Sequence, residues 1–252
     1  MKETYKKTLL LIIRSKKESL FYLFAFLAGA PLYAYLFRLF YFSQSAKAVN
    51  YMPAAELIAF LPGVLLAGWF GAGLNGIFTE RAVLLPKLGS FAHYANRWFI
   101  YKLAADILVA AIKILPVVIL MLMSLRPSGL ISAIWLPVMI FILARFALWL
   151  NASVAENLNF IDALKRSFVI TRGHACKLFS AVIIPLIIAV AAKLLLEKTL
   201  SDRKTVFILM QLINGVLQIL LSAIFAVFYA KLKKEGNMEA KTETDGRAPQ
   251  TV

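Results

Sequence analysis

The sequence is poor in the residues that soluble chemistry uses. It has one cysteine, Cys176, and two histidines, His93 and His174. A single thiol allows no intramolecular disulfide and no cysteine cage for a metal. Two imidazoles are too few for most histidine-based metal sites. Only 16% of the 252 residues are Asp, Glu, Lys or Arg, against about 25% in an average soluble domain. Acid is the scarcer sign, with 13 Asp and Glu against 28 Lys and Arg, for a net charge of +15. No H-E-x-x-H helix, phosphate loop or dinucleotide-binding glycine fingerprint occurs. No nucleophile sits beside a positioned base. Pro127-Ser128-Gly129 matches the start of a membrane phosphatase signature, but Leu130 stands where its histidine belongs, and the tripeptide reads as a turn. The expectation is a protein that is not an enzyme and has no metal or cofactor.

What the chain has in excess is apolar surface. Hydrophobic residues make up 61% of it, and mean hydropathy is +0.78. A soluble domain of this length cannot bury that much, so the surplus is expected to face lipid. Six apolar stretches reach the length that crosses about 30 Å of hydrocarbon at 1.5 Å per residue. They are residues 20–40, 54–78, 99–122, 130–150, 178–196 and 206–229. Backbone in lipid must satisfy its own hydrogen bonds, so the spans are expected to be helices. The first follows a basic N-terminus but outruns a signal-peptide core and lacks a clean cleavage site, so it reads as a retained span. The fold class is thus an all-α membrane protein with six transmembrane helices.

The basic residues orient it. Eighteen Lys and Arg fall in the N-terminal segment, the second and fourth connections and the C-terminal segment, against five in the other connections. That bias puts both termini in the cytoplasm of a bacterial inner membrane. Residues 1–234 then form the membrane domain, and residues 235–252 a polar cytoplasmic tail too poor in apolar groups to order itself. No basic run is interleaved with stacking aromatics on a polar domain, so nucleic acid is not an expected partner.

Cytoplasmic amphipathic elbow helices are expected at residues 5–17 and 160–172, with a weaker version at 90–98. Leu9, Leu10, Ile12 and Ile13 form the apolar face of the first. Ile161, Leu164 and Phe168 form that of the second, with Thr171 at its edge. Lys6, Lys7, Lys165, Arg166 and Arg172 are the candidate contacts to anionic lipid headgroups. Residues 10–21 laid over 168–179 match Ile12 to Ile170, Arg14 to Arg172, Leu20 to Leu178 and Phe21 to Phe179. This raises an elbow-plus-hairpin unit used three times.

The run Ala163-Leu164-Lys165-Arg166-Ser167-Phe168, with Thr171-Arg172-Gly173-His174 and Lys177-Leu178-Phe179, resembles the integral-membrane domain of glycerophosphodiester phosphodiesterases and related multi-pass bacterial membrane proteins. There an A-L-x-x-S-x-x-x-T-x-G segment and a Lys-Leu-Phe-like entry precede the fifth span. The specific match covers about twenty residues. The catalytic part of those two-domain proteins is a soluble barrel with an acidic metal site, and these 252 residues hold no counterpart of it. The resemblance therefore implies a fold and a membrane setting, not phosphodiesterase activity. In the motif, Gly173 is expected to take positive φ where the elbow helix ends. Ser167 is expected to bond back to the preceding turn.

Polar groups within spans mark candidate sites. Lys102, Asp106 and Lys113 share one face of the third span, and Arg145 of the fourth lies at about the depth of Asp106, within ~3 Å on a 1.5 Å rise. An Asp106–Arg145 pair competes with an Asp106–Lys102 pair one turn apart. Gln211, Asn214, Gln218 and Ser222 form a stripe along the sixth span. Gly68, Ala72 and Gly76, beside Asn75, form a ridge of small residues in the second, suited to close helix packing. Arg38 and Glu56 lie near the outer surface on adjacent spans. Two functions remain. One is a membrane scaffold or lipid-environment module. The alternative is a transporter or lipid-translocating protein using the polar faces of spans 3, 4 and 6. An intramembrane enzyme acting on lipid phosphates ranks below both.

Overall fold

The computed structural model describes residues 1–25, 27, 52–84, 89–104, 107, 142, 145–200 and 202–245. Among these the chain is all helical, in eight helices: α1 (Lys2–Arg14), α2 (16–25), α3 (Met52–Val83), α4 (91–104), α5 (Trp149–Glu156), α6 (Phe160–Ile170), α7 (Ala175–Thr199) and α8 (Arg203–Asp245). Two stretches are long and apolar enough to cross a membrane, Ala175–Thr199 and Ile208–Glu235. They overlap the fifth and sixth expected spans. Most of the first, third and fourth expected spans lies outside the described residues.

Helix α8 is the hub, touching α1, α3, α5, α6 and α7. Helices α3, α5 and α8 also touch one another pairwise. They bring Phe78, Leu148, Ile224 and Tyr229 out of solvent contact entirely or nearly so, and residues 71–80 of α3 are buried without a break. Helix α7 is peripheral. It buries Leu178, Ala181, Pro185 and Ala189 and exposes Ile184, Ile187, Ile188, Val190, Leu194 and Leu195.

The glycines of α3 set how closely α4 approaches. A Cβ built on Gly76 would stand 2.4 Å from Tyr94 Cβ, and one on Gly68 would stand 3.3 Å from Phe99 Cε2. The small-residue ridge is thus a bed for the aromatic side chains of α4. The Lys102 stem crosses the same ridge, with its Cε 3.3 Å from where a Gly71 Cβ would be.

The elbow helices follow their local signals. Glu3 in the first turn of α1 and Arg14 in the last complement the helix dipole, and Lys7 bridges Glu3 at 2.8 Å. The helix breaks at Ser15, so Lys16 and Lys17 belong to α2, a correction to the expected 5–17 elbow. Helix α5 closes on Asn157 in the left-handed region, φ 55°, a conformation Asn tolerates. Two residues on, the Asn159 side chain caps α6 by accepting from Asp162 N–H at 2.9 Å. Gly173 takes φ 78° where the chain turns from α6 into α7. The segment at 90–98 is no separate elbow: α4 runs unbroken from 91 to 104.

Two further expectations change. Helix α8 continues to Asp245, past position 235, where the disordered tail was placed. Its first ten tail residues include Glu, Met, Ala and Lys, which are strong helix formers. Extension from an existing helix needs no new nucleus. The internal match also shifts by one residue. Leu20 is 64% exposed whereas Leu178 is 0% exposed, so they are not equivalent. Burial instead aligns Thr4 with Ala163, Thr8 with Ser167, Ser19 with Leu178 and Tyr22 with Ala181. Identity matches in biased sequence follow composition, whereas burial follows the face turned to the bundle.

Candidate functional site

The C-terminal ends of α3 and α5 and the second half of α8 gather a lattice of polar side chains. Its centre is Glu156, the last residue of α5. The carboxylate accepts from the Tyr229 hydroxyl of α8 at 2.5 Å and from Arg166 Nε of α6 at 3.0 Å. Lys233 Nζ of α8 stands 3.9 Å away. One carboxylate thus joins three helices, with its charge matched by two cations.

A second carboxylate, Glu80, sits 3% exposed near the end of α3. It accepts the Gly89 N–H at 3.0 Å, and the Tyr94 hydroxyl lies on both groups. Burial, followed by the hydrogen bond to Glu80, pushes the Tyr94 phenol up to about 12. Asn75 and Asn151 precede Glu80 and Glu156 by the same five positions. Asn151 Nδ2 donates to Thr79 Oγ1 at 2.7 Å. Thr79 in turn donates to the Asn75 carbonyl at 2.7 Å, and Asn75 Nδ2 to the Gly71 carbonyl at 2.8 Å. This chain of bonds holds α3 to α5 where no water competes.

The elbow helices are docked by hydroxyls placed on backbone carbonyls. Pro185 has no N–H, so the Ala181 carbonyl loses its helical partner. The Tyr5 hydroxyl of α1 donates to that carbonyl at 2.8 Å. Arg145 precedes the start of α5, and its carbonyl receives Ser167 Oγ at 2.9 Å, while Thr171 Oγ1, 3.3 Å from the same carbonyl, makes its shorter bond of 2.7 Å to the Ser167 carbonyl. Ser167 therefore bonds across to another segment, not back to the preceding turn. The Arg145 guanidinium lies 4.0 Å from the centre of the Phe168 ring. At the junction of α1 and α2, Arg81 of α3 grips Glu18 at 2.6 and 3.2 Å and donates to the Arg14 carbonyl at 3.0 Å. Burial acts to raise the Glu18 carboxyl, but the Arg81 hydrogen bonds and charge outweigh it, and the net shift is downward.

Asp106 and Lys113 lie outside the described residues, so the Asp106–Arg145 pairing is not among the contacts described. Lys102 is half-buried over the α3 ridge. Of the stripe on α8, Gln218 is exposed, Ser222 is buried and Gln211 is half-buried. Asn214 accepts from Lys193 of α7 at 2.6 Å, a lysine that sequence reading passed over. Arg166, expected at the headgroups, turns inward to Glu156. Lys6, Lys165 and Arg172 are exposed, and Lys7 is exposed while paired with Glu3. Glu80, Glu156 and Tyr229 were not anticipated. The repeated Asn-x-x-x-x-Glu spacing is the signal that could have found the two carboxylates.

The lattice offers donors to every carboxylate and exposes no nucleophile beside a base. Among the described residues no three His, Cys, Asp or Glu side chains group to hold a metal. Comparison with known proteins adds no neighbour, since no family model, curated protein or solved structure matches the chain.

Proposed function

We propose that the chain is a six-span bacterial inner-membrane protein with cytoplasmic termini. It would act as a scaffold or lipid-environment module that gathers anionic headgroups around its elbow helices. One observation carries the reading. Helices α1 and α6 turn a small, hydroxyl-rich face to the bundle (Thr4, Thr8; Ala163, Ser167). They leave Leu9, Leu10, Ile13, Ile161, Phe168 and Val169 exposed beside exposed Lys6, Lys165 and Arg172. A helix apolar on its free face and basic at its border suits the boundary between acyl chains and anionic phosphates. The resemblance of residues 163–179 to the phosphodiesterase-linked membrane domain belongs to the same proposal. Ser167 of that motif docks the elbow. The transporter reading needs polar groups lining one path through spans 3, 4 and 6, and most of spans 3 and 4 lies outside the described residues.

The test uses purified full-length protein in bilayers of mixed phosphatidylglycerol and phosphatidylcholine, each spin-labelled in turn. The expected result is a larger motionally restricted fraction for the anionic lipid, reduced in Lys6→Gln/Lys165→Gln/Arg172→Gln. Equal fractions for the two lipids in the unmodified protein would overturn the proposal. Cysteine labelling in a Cys176→Ser background checks topology. Residues 47, 126 and 198 should react from outside.

A further inference from the structure

We infer that α1 and α6 act together as wedges in one leaflet, so that the protein prefers membrane whose cytoplasmic surface is convex. The inference rests on the membrane placement proposed above and adds a mechanical consequence to it. Both helices lie at the same end of the bundle. The Arg14 carbonyl that ends α1 is held by Arg81 near the end of α3. Arg166 of α6 is held by Glu156, together with Tyr229 and Lys233 near the cytoplasmic end of the α8 span. Helices α3 and α8 pack on each other, and α1 packs on both.

The free faces of these helices carry large apolar side chains between charged ones. Leu9, Leu10 and Ile13 are 59%, 45% and 55% exposed, and Ile161 and Val169 are 62% and 61% exposed. Inserted at the level of the headgroups, helices of this length and diameter displace on the order of 350 Å² of leaflet area. An isolated amphipathic helix can relieve such crowding by leaving the surface. These two cannot leave independently. Tyr5 ties α1 to the Ala181 carbonyl of α7, and Ser167 ties α6 to the Arg145 carbonyl. At the opposite end, α7 and α8 are joined by residues 200–202 alone, which leaves no room for a matching helix at that corner. The area that α1 and α6 add falls on the leaflet at their end of the bundle, and binding of such helices is sensitive to curvature.

The experiment reconstitutes the full chain, labelled through a C-terminal tag, into vesicles of graded size, from about 50 to about 400 nm across, a range over which packing defects change strongly. Protein density is read vesicle by vesicle. A membrane-impermeant quencher separates molecules whose cytoplasmic face points outward. For these, density should rise about two-fold or more toward the smallest vesicles. Molecules in the opposite orientation should show the reverse slope in the same preparation, a comparison that needs no variant. The variant Leu9→Ser/Ile13→Ser/Ile161→Ser/Val169→Ser should lose the slope while staying inserted. Size-independent density of the outward-facing, carbonate-resistant protein overturns the wedge and leaves the membrane reading standing. A retained slope in the inserted variant also overturns the wedge. Loss of the protein on carbonate extraction overturns both readings together.

Discussion

Replacing Tyr5 with Phe removes one oxygen and should orphan one specific carbonyl. Ala181 is 0% exposed, and its carbonyl has no helical N–H to meet because residue 185 is proline. Its hydrogen bond from the Tyr5 hydroxyl spans 2.8 Å. A buried acceptor left without a donor costs about 1–3 kcal/mol, whereas a net hydrogen bond in a solvated place is worth about 1 kcal/mol or less. Tyr5→Phe should therefore destabilise by about 1–3 kcal/mol. The decisive comparison is the same change in a Pro185→Ala background. There residue 185 regains an N–H, the helix closes on Ala181, and the hydroxyl becomes dispensable. The Tyr5→Phe cost should then fall below about 1 kcal/mol, a coupling of roughly 1 kcal/mol or more between residues distant in sequence. The direct effect of Pro185→Ala does not enter, because the cycle subtracts it. Unfolding by a denaturing detergent titrated into mild micelles supplies the free energies. Equal costs of Tyr5→Phe in both backgrounds would show that the hydroxyl does not serve the proline's free carbonyl.

Gly76→Ala should destabilise by about 1–3 kcal/mol through overpacking, exceeding the roughly 0.5–1 kcal/mol an alanine gains in a helix. Its Cβ would meet Tyr94 Cβ at 2.4 Å, an atom fixed to the α4 backbone. Gly68→Ala, whose nearest neighbour is the rim of the Phe99 ring at 3.3 Å, should be near neutral, and comparable thermal midpoints for the two variants would contradict this. The Glu18–Arg81 pair predicts a pH dependence. The Glu18 carboxyl is held below its ordinary value in the folded state, so its stabilisation is complete above the unfolded carboxylate range, near 4.3, and is lost as pH falls through the lower folded value. Glu18→Gln should flatten that acid limb of the thermal midpoint, and a difference from the unmodified protein that stays constant with pH would count against the pair. Ser167→Ala removes the 2.9 Å donor of the Arg145 carbonyl and should cost about 1–3 kcal/mol. Thr171→Val should cost less, because the Ser167 carbonyl that its hydroxyl meets at 2.7 Å keeps the Thr171 N–H at 3.0 Å, so equal losses for the two variants would disagree.

The parts of the fold legible in sequence are those governed by local rules. Residues 160–172 alternate apolar and basic groups at helical spacing, and α6 occupies Phe160–Ile170. Gly173 follows Thr171-Arg172 at the end of a periodic run, and it takes positive φ. The glycine ridge of α3 announces a close neighbour, although not that Tyr94 and Phe99 of α4 would fill it. Low hydropathy does not place the end of α8, which continues to Asp245, since helix propagation depends on the turn before it as well as on composition.

The polar lattice was illegible for a different reason. Each of its members looks ordinary where it stands. Glu156 and Arg166 are charges near span ends, where headgroups or water would explain them, and the sign of a basic residue does not say which way its side chain turns. Arg166 turns inward because a tight turn with Asn157 in the left-handed region and Asn159 as cap folds α6 back beside the end of α5. Ten residues of separation thereby become a 3.0 Å contact. Tyr229 arrives from a helix that is distant in sequence, and no periodicity encodes that meeting. The hydroxyl donors Tyr5 and Ser167 are hidden in the same way, since their purpose lies in carbonyls elsewhere in the chain. Pro185 is the exception that a sequence can declare. A proline inside an apolar helix leaves a carbonyl without its N–H, and in a lipid environment some donor must reach it. Such a proline therefore indicates where a second element can dock, and it is the Tyr5 hydroxyl of α1 that meets the Ala181 carbonyl of α7.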